Sequence, residues 1–278
     1  MKLIPPLNGL NINIINTFLS LHEPPIYTRD RWSANEKEFT LQIENVASYK
    51  IQNGSTVDVY PTQDIDSDTI QLFLNGTVLG IVLHQRRIMP FHGSSFTFRN
   101  QGVLICGNSG VGKSSVVAAF CQDESRLVND DITPICFDNE HIMMVPLSTK
   151  VKLWDDAISL LRLDKTDLKK IRLSLNKYYV PGFTREENIQ PFLHTFIVLC
   201  IHNKDRFEVR RPQGIERFNC LRRNIYHKIY LKGMPQTEKK YFEQLLTAAN
   251  LLDVVVVFRP QTSNALETMR YIREHVLL

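Results

Sequence analysis

Apolar and polar residues alternate with period two across Phe39-Thr40-Leu41-Gln42-Ile43, which predicts a half-buried strand. Two more strands are predicted over Ala47 to Gln52 and Thr56 to Tyr60, with Asn53-Gly54 between them as a tight hairpin turn, since both residues tolerate positive φ. Residues 7 to 20 read as a short helix. From 68 to 84 the period lengthens. Ile70, Phe73, Leu74, Val78 and Ile81 then share one helical face, with Asp66, Ser67 and Asp68 available as caps. A basic turn at Gln85-Arg86-Arg87 leads to strands at Ile88 to Phe91 and Ser95 to Arg99, then a turn at Asn100-Gln101-Gly102.

Beyond that turn the pattern is of mixed α/β type. A wholly apolar strand, Val103 to Cys106, runs into a Gly-rich segment and a helix from about Lys113 to Gln122. A brief strand, Arg126 to Val128, ends in Asn129-Asp130-Asp131. A hairpin is predicted from Ile132 to Phe137 and His141 to Val145 across Asp138-Asn139-Glu140. The last third combines helices near 153–163, 214–230, 238–251 and 262–276 with strands Thr195 to His202, Phe207 to Arg210 and Val254 to Arg259. Residues 172 to 192 are polar, carry Pro181-Gly182 and Glu186-Glu187-Asn188, and read as a long loop. The pattern divides the chain into a β-rich module with helices over 1–84 and an α/β domain over 85–278.

Composition narrows the classes. The 278 residues are 43% hydrophobic and 22% charged, an ordinary globular balance with a net charge of +4. That charge is too mild to argue for nucleic acid. No apolar run approaches the roughly 20 residues that span a bilayer. The N-terminal Met1-Lys2-Leu3-Ile4-Pro5-Pro6 lacks the core of a signal peptide, so a cytoplasmic location is expected, with no membrane or nucleic-acid partner. The five cysteines (106, 121, 136, 200 and 220) include no C-x-x-C and read as core thiols.

Chemistry enters at Gly107-Asn108-Ser109-Gly110-Val111-Gly112-Lys113-Ser114, which fits G-x-x-x-x-G-K-[ST] at every fixed position. Glycines there let backbone N–H groups turn toward phosphate oxygens, and the following helix adds its N-terminal donors. Lys113 would reach the β and γ phosphates and Ser114 would place its hydroxyl on Mg²⁺. Asp130-Asp131 follows 16 residues after Ser114, at the carboxyl end of a short strand, where ligands bind in open α/β sheets. Two adjacent carboxylates can divide the work of orienting a metal and accepting a proton. The run Leu127-Val128 is shorter than the apolar run before the metal aspartate of most P-loop ATPases, which points away from a motor or transporter.

His92-Gly93-Ser94-Ser95, the strand carrying the Gly107–Ser114 loop, and Leu127-Val128-Asn129-Asp130-Asp131 together resemble the catalytic domain of HPr kinase/phosphorylase. The chain looks closer still to the HPr-kinase-like serine kinases of peptide biosynthetic clusters, such as those acting on lasso precursor peptides. The resemblance covers residues 85 to 165. It is weaker over Leu72 to Gln85 and over the last third, including Lys152 to Ala157 and Phe258-Arg259-Pro260. It implies a P-loop on a mixed sheet of the type shared with phosphoenolpyruvate carboxykinase, ATP and Mg²⁺ as donor and cofactor, and a Ser/Thr hydroxyl of a peptide or small protein as acceptor. By resemblance Asp130 is the base on that hydroxyl and Asp131 assists Mg²⁺, roles that could be exchanged, and His92 lies beside the transferring group. The loop from Gly107 to Ser114, with Ser115, would bind the nucleotide. A homo-oligomer stays open.

Two departures stand out. Ser115 occupies a position that is acidic in the bacterial HPr kinases, and residues 180 to 215 lack their substrate-side Gly-rich loop. Both point away from HPr as substrate and from phosphorolysis. Among weaker signals, Lys177 in Lys177-Tyr178-Tyr179-Val180-Pro181 reads as solvated or as a contact to phosphate or an acidic peptide. Arg210-Arg211 and Arg222-Arg223 read as solvated, Arg259 could face the site, and Trp154 reads as core. Two alternatives to a peptide kinase remain: a small-molecule kinase acting on a metabolite such as free serine, and a nucleotide-gated binding module without turnover.

Overall fold

The structure is a computed structural model that describes residues 9–18, 20–123, 125–138, 141–147, 150–172, 175–181, 183 and 191–278. The chain divides into two compact units. One holds the residues up to Pro90 together with Tyr226–Gln244; the other holds Phe91–Ile225 and Leu245–Leu278.

The first unit is a sheet with a helix on one face. Its strands are β1 (Asn11–Ile14), β2 (Tyr27–Arg29), β3 (Trp32–Ala34), β4 (Glu38–Ile43), β5 (Ala47–Gln52) and β6 (Thr56–Pro61), in the order β1-β6-β5-β4-β3-β2. The predicted alternation is what builds the core. Phe39 pairs with Ile51, Leu41 with Tyr49, Tyr49 with Val59 and Ile51 with Val57, so odd-numbered apolar residues share one face. All of them are buried, each contributing on the order of 1.5–3 kcal/mol. The turn between β5 and β6 places Asn53 at φ 53° and Gly54 at φ 60°.

The predicted helix over 68–84 is continuous but irregular: α1 (Ser67–Phe73), one π-helical turn (Leu74–Val78) and α2 (Leu79–Gln85). Asp66 caps it by accepting from Thr69 N at 2.7 Å. Val78, Ile81 and Val82 pack on the sheet, with Ile70, Phe73 and Leu74 partly buried beside them and Tyr230 and Met234 completing the cluster.

The helix expected over 7–20 is a correction. Its described part contains β1, which pairs in parallel with β6 from Asn11↔Thr56 to Ile14↔Val59. Asn-Ile-Asn-Ile alternates with period two and asparagine is a poor helix former. Asn13 Nδ2 also donates to Asp58 Oδ1 at 2.8 Å, which fixes the edge strand in register.

The other face of this sheet hides a charge cluster. Lys50 is fully buried. Its ammonium donates to Ser20 O at 2.6 Å and lies 3.3 Å from Glu38 Oε1. Glu38 also accepts from the backbone N–H groups of His22 and Glu23 and contacts His22 Nδ1.

The second unit is built on β7 (Met89–Phe98, entered from the first unit), β8 (Gln101–Cys106), β9 (Arg126–Asn129), β10 (Ile132–Asp138), β11 (His141–Met144), β14 (Leu193–His202), β15 (Glu208–Arg210) and β16 (Asp253–Pro260), with β12 (Lys150–Trp154) and β13 (Lys177–Pro181) as a separate antiparallel ribbon. The main order is β11-β10-β7-β8-β14-β16-β15, with β9 on β7. β8, β14 and β16 are mutually parallel, while β7 and β15 run antiparallel to their neighbours, so the sheet is mixed. Its helices are α3 (Lys113–Cys121), α4 (Asp155–Leu160), α5 (Gly214–Arg223), the end of α6 (Pro235–Leu251) and α7 (Ala265–Ile272). Val116, Val117 and Phe120 of α3 and Met269 and Ile272 of α7 share one core with Ile105, Ile197 and Val255 of the central strands. Among the described residues no helix is long and apolar enough to cross a membrane.

Five expectations change here. The two strands over 88–99 are the single strand β7. The helix over 153–163 is preceded by β12, because Val151 and Leu153 alternate inward while Lys152 and Trp154 face out. Trp154 is 47% exposed and not core. The segment 172–192 contains β13, with Tyr178 and Val180 buried; Gly182 and Glu186-Glu187-Asn188 fall outside the described residues. The helix over 214–230 stops at Arg223, where Asn224 Nδ2 turns back to Cys220 O at 2.7 Å, and a 3₁₀ helix follows over Lys228–Gly233. The turn of the β10–β11 hairpin has Asn139 and Glu140 outside the described residues, but Asp138 pairs with His141 as expected.

The buried cluster yields a prediction about stability. Burial pushes the Glu38 carboxyl up, but the Glu23 and His22 contacts and Lys50 outweigh it and hold the group at about 2, against 4.5 ordinarily. A depressed acid stabilises the fold above its unfolded pKa, and that contribution is lost as pH falls through the folded value. The shift is worth about 3 kcal/mol, present above pH 4.5 and lost toward pH 2. Urea denaturation followed by Trp32 fluorescence in a Trp154→Phe background should show this loss, and Glu38→Gln should be less stable at pH 7 and lose less stability than the parent over that range, where other depressed carboxyls such as Asp131 still titrate.

Candidate functional site

The site forms where β8 gives way to α3. Gly107 (φ 143°), Gly110 (φ 82°) and Gly112 (φ 97°) take backbone conformations that side chains resist, so the chain curls into a loop open toward solvent. At Gly107 a Cβ would also come within 2.3 Å of Leu199 O on β14, so only glycine lets the loop lie against the sheet. Lys113 begins α3 and folds its ammonium back on the loop, donating to Gly107 O at 2.9 Å and Asn108 O at 3.1 Å. Arg259, near the end of β16, braces the same loop by donating from Nε to Val111 O at 3.1 Å.

The two aspartates separate completely. Asp130 is buried and accepts three hydrogen bonds: from Ser114 Oγ at 2.7 Å and Ser94 Oγ at 2.6 Å on Oδ1, and from Lys152 N at 2.7 Å on Oδ2. Asp131 has φ 73°, and Ile132 N donates across it to Asp130 O at 3.0 Å. An i→i+2 bond around a residue of positive φ is the rare, strained sense of γ-turn. This turn sends neighbouring side chains in opposite directions. Asp131 enters the open cleft, where Lys152 Nζ donates to it at 2.9 Å and His92 Nδ1 lies 3.7 Å away.

The cleft has a volume of about 450 Å³, lies within the second unit, and is lined by His92, Ser109, Gly110, Gly112, Lys113, Ser114, Ser115 and Asp131 among the residues expected from sequence. Gly107, Asn108, Val111 and Asp130 are not part of that lining: Val111 and Asp130 are buried, and Asn108 is exposed. The sequence reading gave no site role to Ser94 or Lys152 and placed Trp154 in the core. Lys152 and Trp154 line the cleft, as do Lys177 and Arg259, while Ser94 sits beneath it on Asp130. Alternation along β12 was the available signal for Lys152 and Trp154. Arg210, Arg211, Arg222 and Arg223 are exposed elsewhere.

Charge in the cleft follows from burial and pairing. Burial pushes the His92 imidazole below its ordinary value, and Lys113 pushes the same way, so the ring is neutral at pH 7. Burial raises the Asp131 carboxyl, but Lys152 beside it more than offsets this and leaves it lowered and ionised. Burial lowers Lys152, and Asp131 reverses that shift. Lys113 is lowered by desolvation.

The residues fit a triphosphate and a hard cation. The loop amides and Lys113 suit phosphate oxygens, and the bonded Ser114–Asp130 pair offers the oxygen ligands Mg²⁺ prefers. Among the described residues no three His, Cys, Asp or Glu side chains converge on a metal site, so such a cation would depend on phosphate oxygens for much of its coordination.

No protein-family model matches the chain, and no curated protein matches it. Among solved structures, the HPr(Ser) kinase/phosphatase from Coxiella burnetii is similar over 68% of this chain and 96% of its own, at 16% identity and a TM-score of 0.34. A likeness at that level says nothing of substrate or chemistry.

Proposed function

We propose that this chain is an ATP- and Mg²⁺-dependent kinase that transfers the γ-phosphoryl group to a Ser or Thr hydroxyl of a peptide or small protein, on a P-loop fold of the HPr kinase and phosphoenolpyruvate carboxykinase type. One observation carries the reading. The carboxylate bonded to Ser114 is buried behind the loop, and the next carboxylate opens into the cleft beside His92.

That arrangement favours the exchanged assignment. Asp130 serves the cation through Ser114, and Asp131 receives the acceptor. Mg²⁺, when bound, would screen the β- and γ-phosphate oxygens during transfer. Lys113 leaves the loop carbonyls for those oxygens, and the loop amides hold them. The acceptor oxygen forms a bond to the γ-phosphorus as the bond from that phosphorus to the β–γ bridging oxygen breaks. ADP departs, and the hydroxyl proton passes to Asp131. A carboxylate this acidic is a weak base, so Asp131 acts chiefly by orienting the hydroxyl, its proton leaving late along the reaction. His92, neutral, donates a hydrogen bond toward the transferring group.

The two aspartates should therefore fail differently. Asp131→Asn should keep Mg²⁺-dependent ATP binding and lower kcat by roughly 10²–10⁴-fold. Asp130→Asn should weaken ATP binding specifically in the presence of Mg²⁺. Calorimetry and steady-state transfer assays on both variants measure this; full activity in Asp131→Asn would overturn the base assignment. Lys113→Ala should weaken ATP binding itself by at least about tenfold, since it removes the ammonium that bonds to the loop, an effect read in the same titration.

A further inference from the structure

Resting on the kinase reading, we infer that the β12–β13 ribbon is the acceptor-docking element, and that it selects hydroxyls flanked by a carboxylate. The ribbon has two chemically distinct faces. Val151, Leu153, Tyr178 and Val180 turn into the core. On the other face Trp154 stands directly opposite Lys177 in the ladder, and Lys152 opposite Tyr179. Lys152, Trp154 and Lys177 all line the cleft that holds Asp131.

The charges on this face are unequal in their compensation. Lys152 is neutralised by Asp131 at 2.9 Å. Lys177 has no carboxylate partner among the described residues; its ammonium sits 5.6 Å from the centre of the Trp154 ring. It is near enough to Asp131 and to Lys113 to act electrostatically on both. Asp156, the other acid on the cleft wall, accepts from Ala157 N at 2.8 Å within its own helix. Trp154 is 47% exposed, an apolar plate beside an unneutralised cation. A peptide laid over Trp154, with its hydroxyl at Asp131, presents its flanking residue to Lys177. A carboxylate there is attracted; an ammonium is repelled. The same cation also offsets the repulsion between an acidic acceptor and the triphosphate.

The test uses the full chain with ATP, Mg²⁺ and a set of serine peptides whose flanking residues are Asp/Glu, Asn/Gln or Lys. The acid-flanked set should be preferred over the amide-flanked set by at least tenfold in kcat/KM, through KM for the peptide. Lys177→Ala should abolish that preference and Lys177→Glu should reverse it toward lysine flanks, while KM for ATP stays within twofold. Peptides phosphorylated without regard to flanking charge, or a Lys177→Ala variant whose defect lies in KM for ATP, would overturn the inference and leave the kinase reading intact. Transfer to no peptide at all, with ATP binding retained, would overturn both. Trp154→Ala should raise KM for every peptide alike and leave the charge preference in place; loss of the preference in that variant would contradict the role given to Lys177.

Discussion

The carboxylate of Asp130 is the point on which the second unit's chemistry depends. It is buried, and a buried carboxylate is tolerable only when its oxygens are supplied with donors. Three arrive from three elements: Ser94 from β7, Ser114 from α3 and the backbone of Lys152 from β12. These bonds tie the loop, the sheet and the ribbon to one atom group. They also hold in place the strained turn at Asp131, whose φ is positive. The knot and the exposed carboxylate are one device.

From that knot the cleft acquires two sides of different character. The loop side is made of backbone donors with Lys113 and Arg259, a surface for phosphate. The ribbon side is made of side chains: Lys152, Trp154 and Lys177. Asp131 stands between them, kept ionised by Lys152 although burial opposes it.

Much of this was legible in the chain. Odd-numbered apolar residues from Phe39 to Val59 define the first sheet, because an apolar face backed by a polar one leaves a period-two imprint. The strand–loop–helix at Gly107–Ser114 followed from residue types that few other structures require. The ribbon was missed because its outward residues serve the cleft. With Lys152, Trp154 and Lys177 turned to a functional surface, Lys150 to Lys152 read as no element, Leu153-Trp154 as the start of a helix, and Lys-Tyr-Tyr-Val-Pro as loop. The division of labour between Asp130 and Asp131 was beyond reach. Two adjacent residues of one type carry no distinguishing signal, and only a three-residue turn sets them apart. Asn11 to Ile14 erred in the opposite sense: the pattern was strand-like, but its partner β6 lies over forty positions away.

The most direct test is a crystal structure of the chain with a non-hydrolysable ATP analogue and Mg²⁺. The account predicts the phosphates seated on the amides of Gly110 to Ser114, the cation on the Ser114–Asp130 side, and the Asp131 carboxylate facing the terminal phosphate across a space open to an acceptor. A cation held by Asp131, with Asp130 still buried on its serines, would contradict it, as would an analogue bound away from the loop.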